Sequence, residues 1–226
     1  MLTRRTALQL ASAAPLLSFA GPALALTEPE LLVEKARVTV LTLLGDPQYA
    51  SLKNLVGKCR AVLILPNVIQ AGFFFGGGGG SGVMVARGDD GAWSGPAFYT
   101  LAEASFGLQF GGQSSQMILA IMTDKGLDAV IDRKVKLGGD ATVALGEMGT
   151  SVGASYGVGM NADIYAYAKT AGLFGGMAVE GSVIAPRNEW NQTFYGEGAS
   201  ARRILVERTF FRPQAQSLAA ALNGES

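Results

Sequence analysis

Between residues 27 and 44 the apolar side chains recur at helical spacing. Leu32, Val33, Ala36, Val40, Leu43 and Leu44 fall on one face, flanked by Lys35, Thr39 and Thr42, with Glu30, Glu34 and Arg37 beyond its other edge. Thr27-Glu28-Pro29-Glu30 has capping-box spacing, which fixes the start of this helix, and Gly45 stops it. Asp46-Pro47 then opens a second, shorter helix that carries Tyr49, Leu52, Leu55 and Val56 and closes at Gly57.

From Arg60 onward the helical period gives way to short apolar runs punctuated by glycine and turn residues. These predict strands over Ala61–Leu65, Ile69–Phe75, Gly82–Arg87, Ala97–Thr100, Ser105–Phe110 and Gln116–Met122, and again over Val135–Leu137, Ala141–Leu145, Ser151–Val158, Asp163–Thr170 and Leu173–Ile184. Asp89-Asp90-Gly91 supplies hairpin chemistry, because Asp-Gly tolerates the positive φ of a tight turn. Thr123 is placed to cap a short helix reaching Asp132, and further short helices are predicted over Asn188–Tyr195, Ser200–Glu207 and Pro213–Leu222. With no linker, repeat or long apolar span after the first 25 residues, the pattern reads as one α+β domain. Its expected form is a mainly antiparallel sandwich or barrel, with N-terminal and C-terminal helices packed at its ends.

The first residues break this pattern in a way that marks export. Thr3-Arg4-Arg5-Thr6 is a positive segment with paired arginines, Leu8 to Phe19 is mostly apolar, and Ala23-Leu24-Ala25 is a small-residue cleavage site. Residues 1–25 are therefore expected to be a signal peptide, by the twin-arginine or the general route, leaving a periplasmic chain of residues 26–226. That mature chain carries a net charge of −2, against the basic excess that nucleic-acid binding requires. Cys59 is the single cysteine, so no internal disulfide can form, and its apolar neighbours point to burial.

Histidine is absent altogether. This removes the usual general base, the commonest metal ligand and every Ser-His or Cys-His nucleophile pair. The strings that imitate active sites fail for physical reasons. Gly77-x-Gly79-x-x-Gly82 leads into the strand Val83-Met84-Val85 rather than a helix, so it lacks the N-terminus that would hold a pyrophosphate. The run Gly76–Gly80 reads instead as a tight strand connection, with an anion-binding nest of backbone N–H groups as the functional alternative. Gly149-x-Ser151-x-Gly153 and Gly153-x-Ser155-x-Gly157 have no base to activate their serines. Asp124, Asp128 and Asp132 form one helix face, solvated rather than metal-binding. What remains for catalysis is a carboxylate pair such as Glu180 and Asp163, which would have to meet in a pocket.

Several phrases taken together resemble the SYLF domain family. They are Gly80-Ser81-Gly82-Val83, Trp93-Ser94-x-Pro96-Ala97-Phe98-Tyr99, Ala104-Ser105-Phe106-Gly107-Leu108-Gln109, Asp163-Ile164-Tyr165, Gly172-Leu173-Phe174-x-Gly176, Glu180-Gly181-Ser182, and Asn191 with Tyr195-Gly196. The likeness runs from about Leu31 to Leu222. Gly146-Glu147-Met148-Gly149 and Ser114-Ser115-Gln116 depart from the expected pattern. The resemblance implies phospholipid binding, through an N-terminal amphipathic helix and basic surface; with histidine absent, no enzymatic activity and no cofactor are expected. Some yeast members also bind actin.

On that basis the expected ligand is an anionic phospholipid surface. Leu32, Val33 and Val40 of the first helix would supply the apolar contact, with Lys35 and Arg37 beside them. Phe74 and the basic run Arg133, Lys134 and Lys136 would assist. Arg202, Arg203, Arg208 and Arg212 form a second basic group. Two uses of the helix stripe stand side by side: entering a bilayer, or covering the sheet. An envelope scaffold that binds another protein is the alternative function.

Overall fold

A computed structural model of the chain describes residues 26–72, 75–106, 111–131, 133–146, 162–171 and 181–225. The expected signal segment, Phe74, the two Gly-x-Ser-x-Gly strings, the strand expected over residues 151–158, Asp132 and Glu180 lie outside these residues. One curled, eight-stranded sheet organises the rest. Its strands are β1 Ala61–Gly72, β2 Phe75–Ala86, β3 Ala97–Phe106, β4 Gly111–Ile121, β5 Val135–Lys136, β6 Val143–Leu145, β7 Ile164–Ala171 and β8 Val183–Pro186. They lie in the order β5-β8-β3-β2-β1-β4-β7-β6. All described pairings are antiparallel except β6 with β7. The α+β class and the flanking helices agree with the sequence pattern, and the expected sandwich or barrel is realised as a half-barrel.

Helices cover both faces of this sheet. On one face lie α1 (Glu28–Leu44), α2 (Ala50–Val56, after a 3₁₀ turn at Pro47–Tyr49), α4 (Asn188–Tyr195) and α6 (Ala215–Asn223). Their buried residues Val33, Ala36, Val40, Leu52, Phe194 and Leu218 meet Val62, Ile64, Val83, Val85, Phe98, Ile118 and Ala120 of the strands. On the other face α3 (Asp124–Ile131) and α5 (Ala201–Leu205) cover Leu63, Leu65, Met84, Tyr99, Leu101, Met117 and Leu119. The period-two alternation of each central strand thus divides cleanly between two cores.

The expected caps form. Thr27 Oγ1 accepts from the Glu30 backbone N–H, while the Glu30 carboxylate accepts from the Thr27 N–H at 2.8 Å. Thr123 Oγ1 accepts from the Gly126 N–H at 3.0 Å and starts α3. Gly91 takes φ +79° in the Asp89-Asp90-Gly91 turn, where Asp90 Oδ1 also accepts from the Ala92 N–H.

The glycine run corrects the sequence reading. It is not a connection: Gly76–Gly80 sit inside β2, paired with β1 on one side and with Ser105–Leu101 of β3 on the other. A Cβ on Gly80 would stand 2.4 Å from the Asn67 carbonyl oxygen, and one on Gly82 would stand 2.8 Å from that of Ile64. The glycines let β2 lie close against a bulge in β1, where the pairing register shifts between Ile64 and Ile69. That same bulge lets β1 run unbroken through Pro66, where the sequence predicted two separate strands.

Candidate functional site

The helix stripe is used for the core. Leu32, Val33 and Val40 are only 8%, 1% and 0% exposed, packed between α1 and the sheet. In this arrangement they are unavailable to a bilayer, and of the two uses the structure shows the covering one. Lys35 is exposed. Arg37 is half-buried, and its Nε donates to Glu34 Oε2 at 3.0 Å. Arg133, Lys134 and Lys136 are exposed, but they follow α3, which covers the opposite face of the sheet from α1. The structure therefore does not bring that basic run together with the helix. Phe74 is beyond the described residues.

The outward face of α1 holds what the sequence reading missed. Leu31, Val38 and Leu41 are 42%, 50% and 40% exposed, and their spacing of seven and three residues puts them on one side of the helix. Lys35 lies one turn from both Leu31 and Val38. From Val38 to Leu44 the helix carries no charged residue on any face. That run was the available sequence signal.

Two concavities flank this ridge. Near the N-terminal half of α1, a groove of about 300 Å³ is lined by Glu28, Leu31, Leu32, Lys35, Pro66, Asn67, Ser81 and Trp190, so the Lys35 cation has the Glu28 carboxylate for a neighbour in the lining. The Arg187 guanidinium stacks 3.7 Å from the Trp190 ring centre and its Nη1 donates to Ser81 Oγ at 2.8 Å, fixing that wall. At the other end a cavity of about 440 Å³ opens between the C-terminal ends of α1, α2 and α6.

The groups with chemical potential elsewhere are occupied structurally. Asp163, the buried member of the suspected carboxylate pair, accepts from Thr123 Oγ1 at 2.7 Å and from the Thr142 N–H and Oγ1 at 3.1 and 2.9 Å. Lys125 Nζ stands 3.5 Å away. The Thr123 hydroxyl, followed by the two Thr142 bonds, holds this carboxylate down at about 2 against the opposing effect of burial. It is an ionised tie between α3, the segment before β6 and the start of β7, with no proton to trade near neutrality. Burial pushes the Cys59 thiol up to about 12, so the thiolate is scarce. Asp124 is drawn into an ion pair with Arg60 at 2.6 Å. Among the described residues no three acidic or cysteine side chains gather closely enough to hold a metal ion. In the second arginine group, Arg208 pairs with Asp90 at 3.1 Å and Arg203 approaches Glu207 at 3.9 Å.

Residues 102–225, more than half of the chain, match the Ysc84 family, described as Las17-binding protein actin regulator. The chain belongs to the Ysc84 family. The SYLF resemblance of its glycine-aromatic phrases is thereby borne out. It is 32% identical over 181 residues to the human SH3 domain-containing YSC84-like protein 1, covering 80% of this chain and 53% of that protein. Protein YSC84 of Saccharomyces cerevisiae is 35% identical over 159 residues, 69% of this chain and 34% of the relative. LAS seventeen-binding protein 3 from the same yeast is 36% identical over 149 residues, 65% of this chain and 32% of the relative. The Ysc84 domain here thus spans about half the length of the human relative and about a third of the yeast ones.

Proposed function

We propose that this Ysc84 domain is a non-enzymatic, periplasmic protein that associates peripherally with anionic phospholipid surfaces through the outward face of α1. The supporting observation is the ridge of Leu31, Val38 and Leu41, half-exposed aliphatic side chains with the cation of Lys35 among them. The ridge replaces the buried stripe as the contact. The signal-like residues 1–25 support periplasmic placement, and the absence of histidine together with the structural use of Asp163 supports a binding role.

The magnitudes make this a weak, reversible attachment. Completing the burial of three half-exposed aliphatic side chains is worth about 1 kcal/mol each. Lys35 at a negative surface adds about 1 kcal/mol. A total near 4 kcal/mol corresponds to half-saturation at about 1 mM accessible lipid. The test is co-sedimentation with vesicles at millimolar lipid, with phosphatidylglycerol-rich and pure phosphatidylcholine vesicles at low and high salt. The expected result is pelleting with the anionic vesicles, reduced by salt and abolished in Leu31→Asp/Val38→Asp. Equal absence from both pellets refutes the proposal.

The second reading is an envelope scaffold that binds another protein, in line with relatives named for binding Las17. It is favoured by Phe211, which is 69% exposed in the arm between α5 and α6. Capture of a defined partner that is lost in Phe211→Ser, with no vesicle pelleting, supports it.

A further inference from the structure

Building on the amphiphile-binding reading, we propose that the cavity at the C-terminal end of α1 receives one unbranched aliphatic chain bearing a carboxylate, a fatty-acid-type ligand. Lys53 and Arg87 would meet its head.

The cavity has the right walls for this. Leu41 and Leu44 of α1 and Ala221 and Leu222 of α6 give it apolar sides, and Gly45 and Gly57 line it without side chains. Its volume of about 440 Å³ lies within the range of small-molecule sites. A methylene takes about 30 Å³, close to a water's share of the liquid, so the volume matches about fifteen such groups, room for one medium-length chain with its carboxylate and not for two. The uncharged stretch Val38–Leu44 continues the apolar path outward along the helix.

The charge at the mouth selects an anion. Lys53 of α2 is exposed, and Arg87 closes β2, with its guanidinium 4.2 Å from the Trp93 ring centre and Nη2 donating to the Val56 carbonyl at 3.0 Å. That stack holds Arg87 in place before any ligand arrives. Among the described residues neither cation has an acid within ion-pair distance. Among the described lining residues Glu225 is the one carboxylate against the two cations Lys53 and Arg87.

Three helix C-termini also face the cavity, and their partial negative charge would oppose an anion if left bare. They are largely satisfied. Leu41 O and Leu43 O accept from the Gly45 and Asp46 N–H groups, Lys53 O and Leu55 O from Gly57 and Cys59, and Ala221 O and Ala220 O from Gly224 and Glu225. Val56 O is taken by Arg87 itself.

Titration calorimetry on the full chain with sodium hexanoate, octanoate and decanoate, each below its micelle concentration, tests the assignment. Affinity is expected to rise about fourfold per added methylene and to level off once the cavity is filled. Octanol and octyltrimethylammonium should bind at least tenfold more weakly than octanoate. Lys53→Gln should weaken octanoate several-fold and Leu41→Asp at least tenfold. Both positions are exposed, so unchanged far-ultraviolet circular dichroism serves as the folding control. The proposal falls if octanoate binding is not saturable, if chain length makes no difference, or if octyltrimethylammonium binds as tightly. The assay contains no membrane, so its outcome separates from vesicle pelleting. Pelleting without octanoate binding overturns the cavity assignment alone. Octanoate binding without pelleting sustains the cavity and removes the α1 surface reading.

Discussion

Replacing Asp163 by asparagine isolates one buried charge whose contribution is set by protonation. The carboxylate is held at about 2, against an ordinary 3.8, by Thr123 and Thr142. A folded-state value below the unfolded one contributes stability that is complete above the unfolded value and lost as pH falls through the folded one. The contribution is therefore full at pH 5 and above, declines from about pH 4, is mostly lost by about pH 2 and is gone below it. A depression of nearly two units corresponds to about 2 kcal/mol. Asp163→Asn keeps the shape but turns one accepting oxygen into a donor facing groups that also donate. Urea unfolding followed by circular dichroism at pH 7, 5, 4, 3 and 2 should show the variant about 2–3 kcal/mol less stable at pH 7. The gap should narrow below pH 4. Comparing the two proteins at each pH cancels the other carboxylates held low by their hydrogen bonds, among them Glu30, Asp46 and Asp90. A gap of constant size down to pH 2, or none at pH 7, refutes the account of Asp163 as an ionised structural tie.

Gly80→Ala places a methyl 2.4 Å from the Asn67 carbonyl oxygen, where backbone and not a flexible side chain must yield. The expected loss is about 3 kcal/mol or more in chemical unfolding, with Gly91→Ala costing about 1 kcal/mol because its strain is in φ alone. Cys59, buried and pushed up to about 12, should react with an aromatic disulfide reagent at pH 8 only after denaturant is added; fast labelling of the native protein contradicts its assigned position.

The helices were the most legible part of the chain because their signals are local. Thr27 and Glu30 close the predicted capping box, and α4 spans the predicted Asn188–Tyr195. Strand boundaries failed where a neighbour decided them. Glycines and Pro66 read as interruptions on propensity, yet the close approach of β2 to the β1 bulge makes glycine the residue that fits. The candidate site was half legible for a related reason. Periodicity identified the widest apolar face of α1, and a helix commits that face to the core first. Which remaining residues stay outside depends on how far the sheet and α6 wrap around the helix, and that lies in no local pattern. Leu31, Val38 and Leu41 therefore emerged only once Leu32, Val33 and Val40 had been placed. The cavity draws Leu41, Arg87 and Leu222 from three distant segments, and only the tertiary fold joins them.

Helix α1 beds against α6, so the earliest and latest elements of the described fold share one hydrophobic layer. While the polypeptide is still emerging from the ribosome, Val33, Ala36 and Val40 have no Leu218 or Ala221 to meet, and that side of the β-sheet stays uncovered. Acquisition of the native state is consequently expected to await synthesis of α6, slow in the manner of folds dominated by distant contacts. A truncation that removes α6 leaves that layer open and should be cleared by proteolysis rather than accumulate as a smaller folded unit.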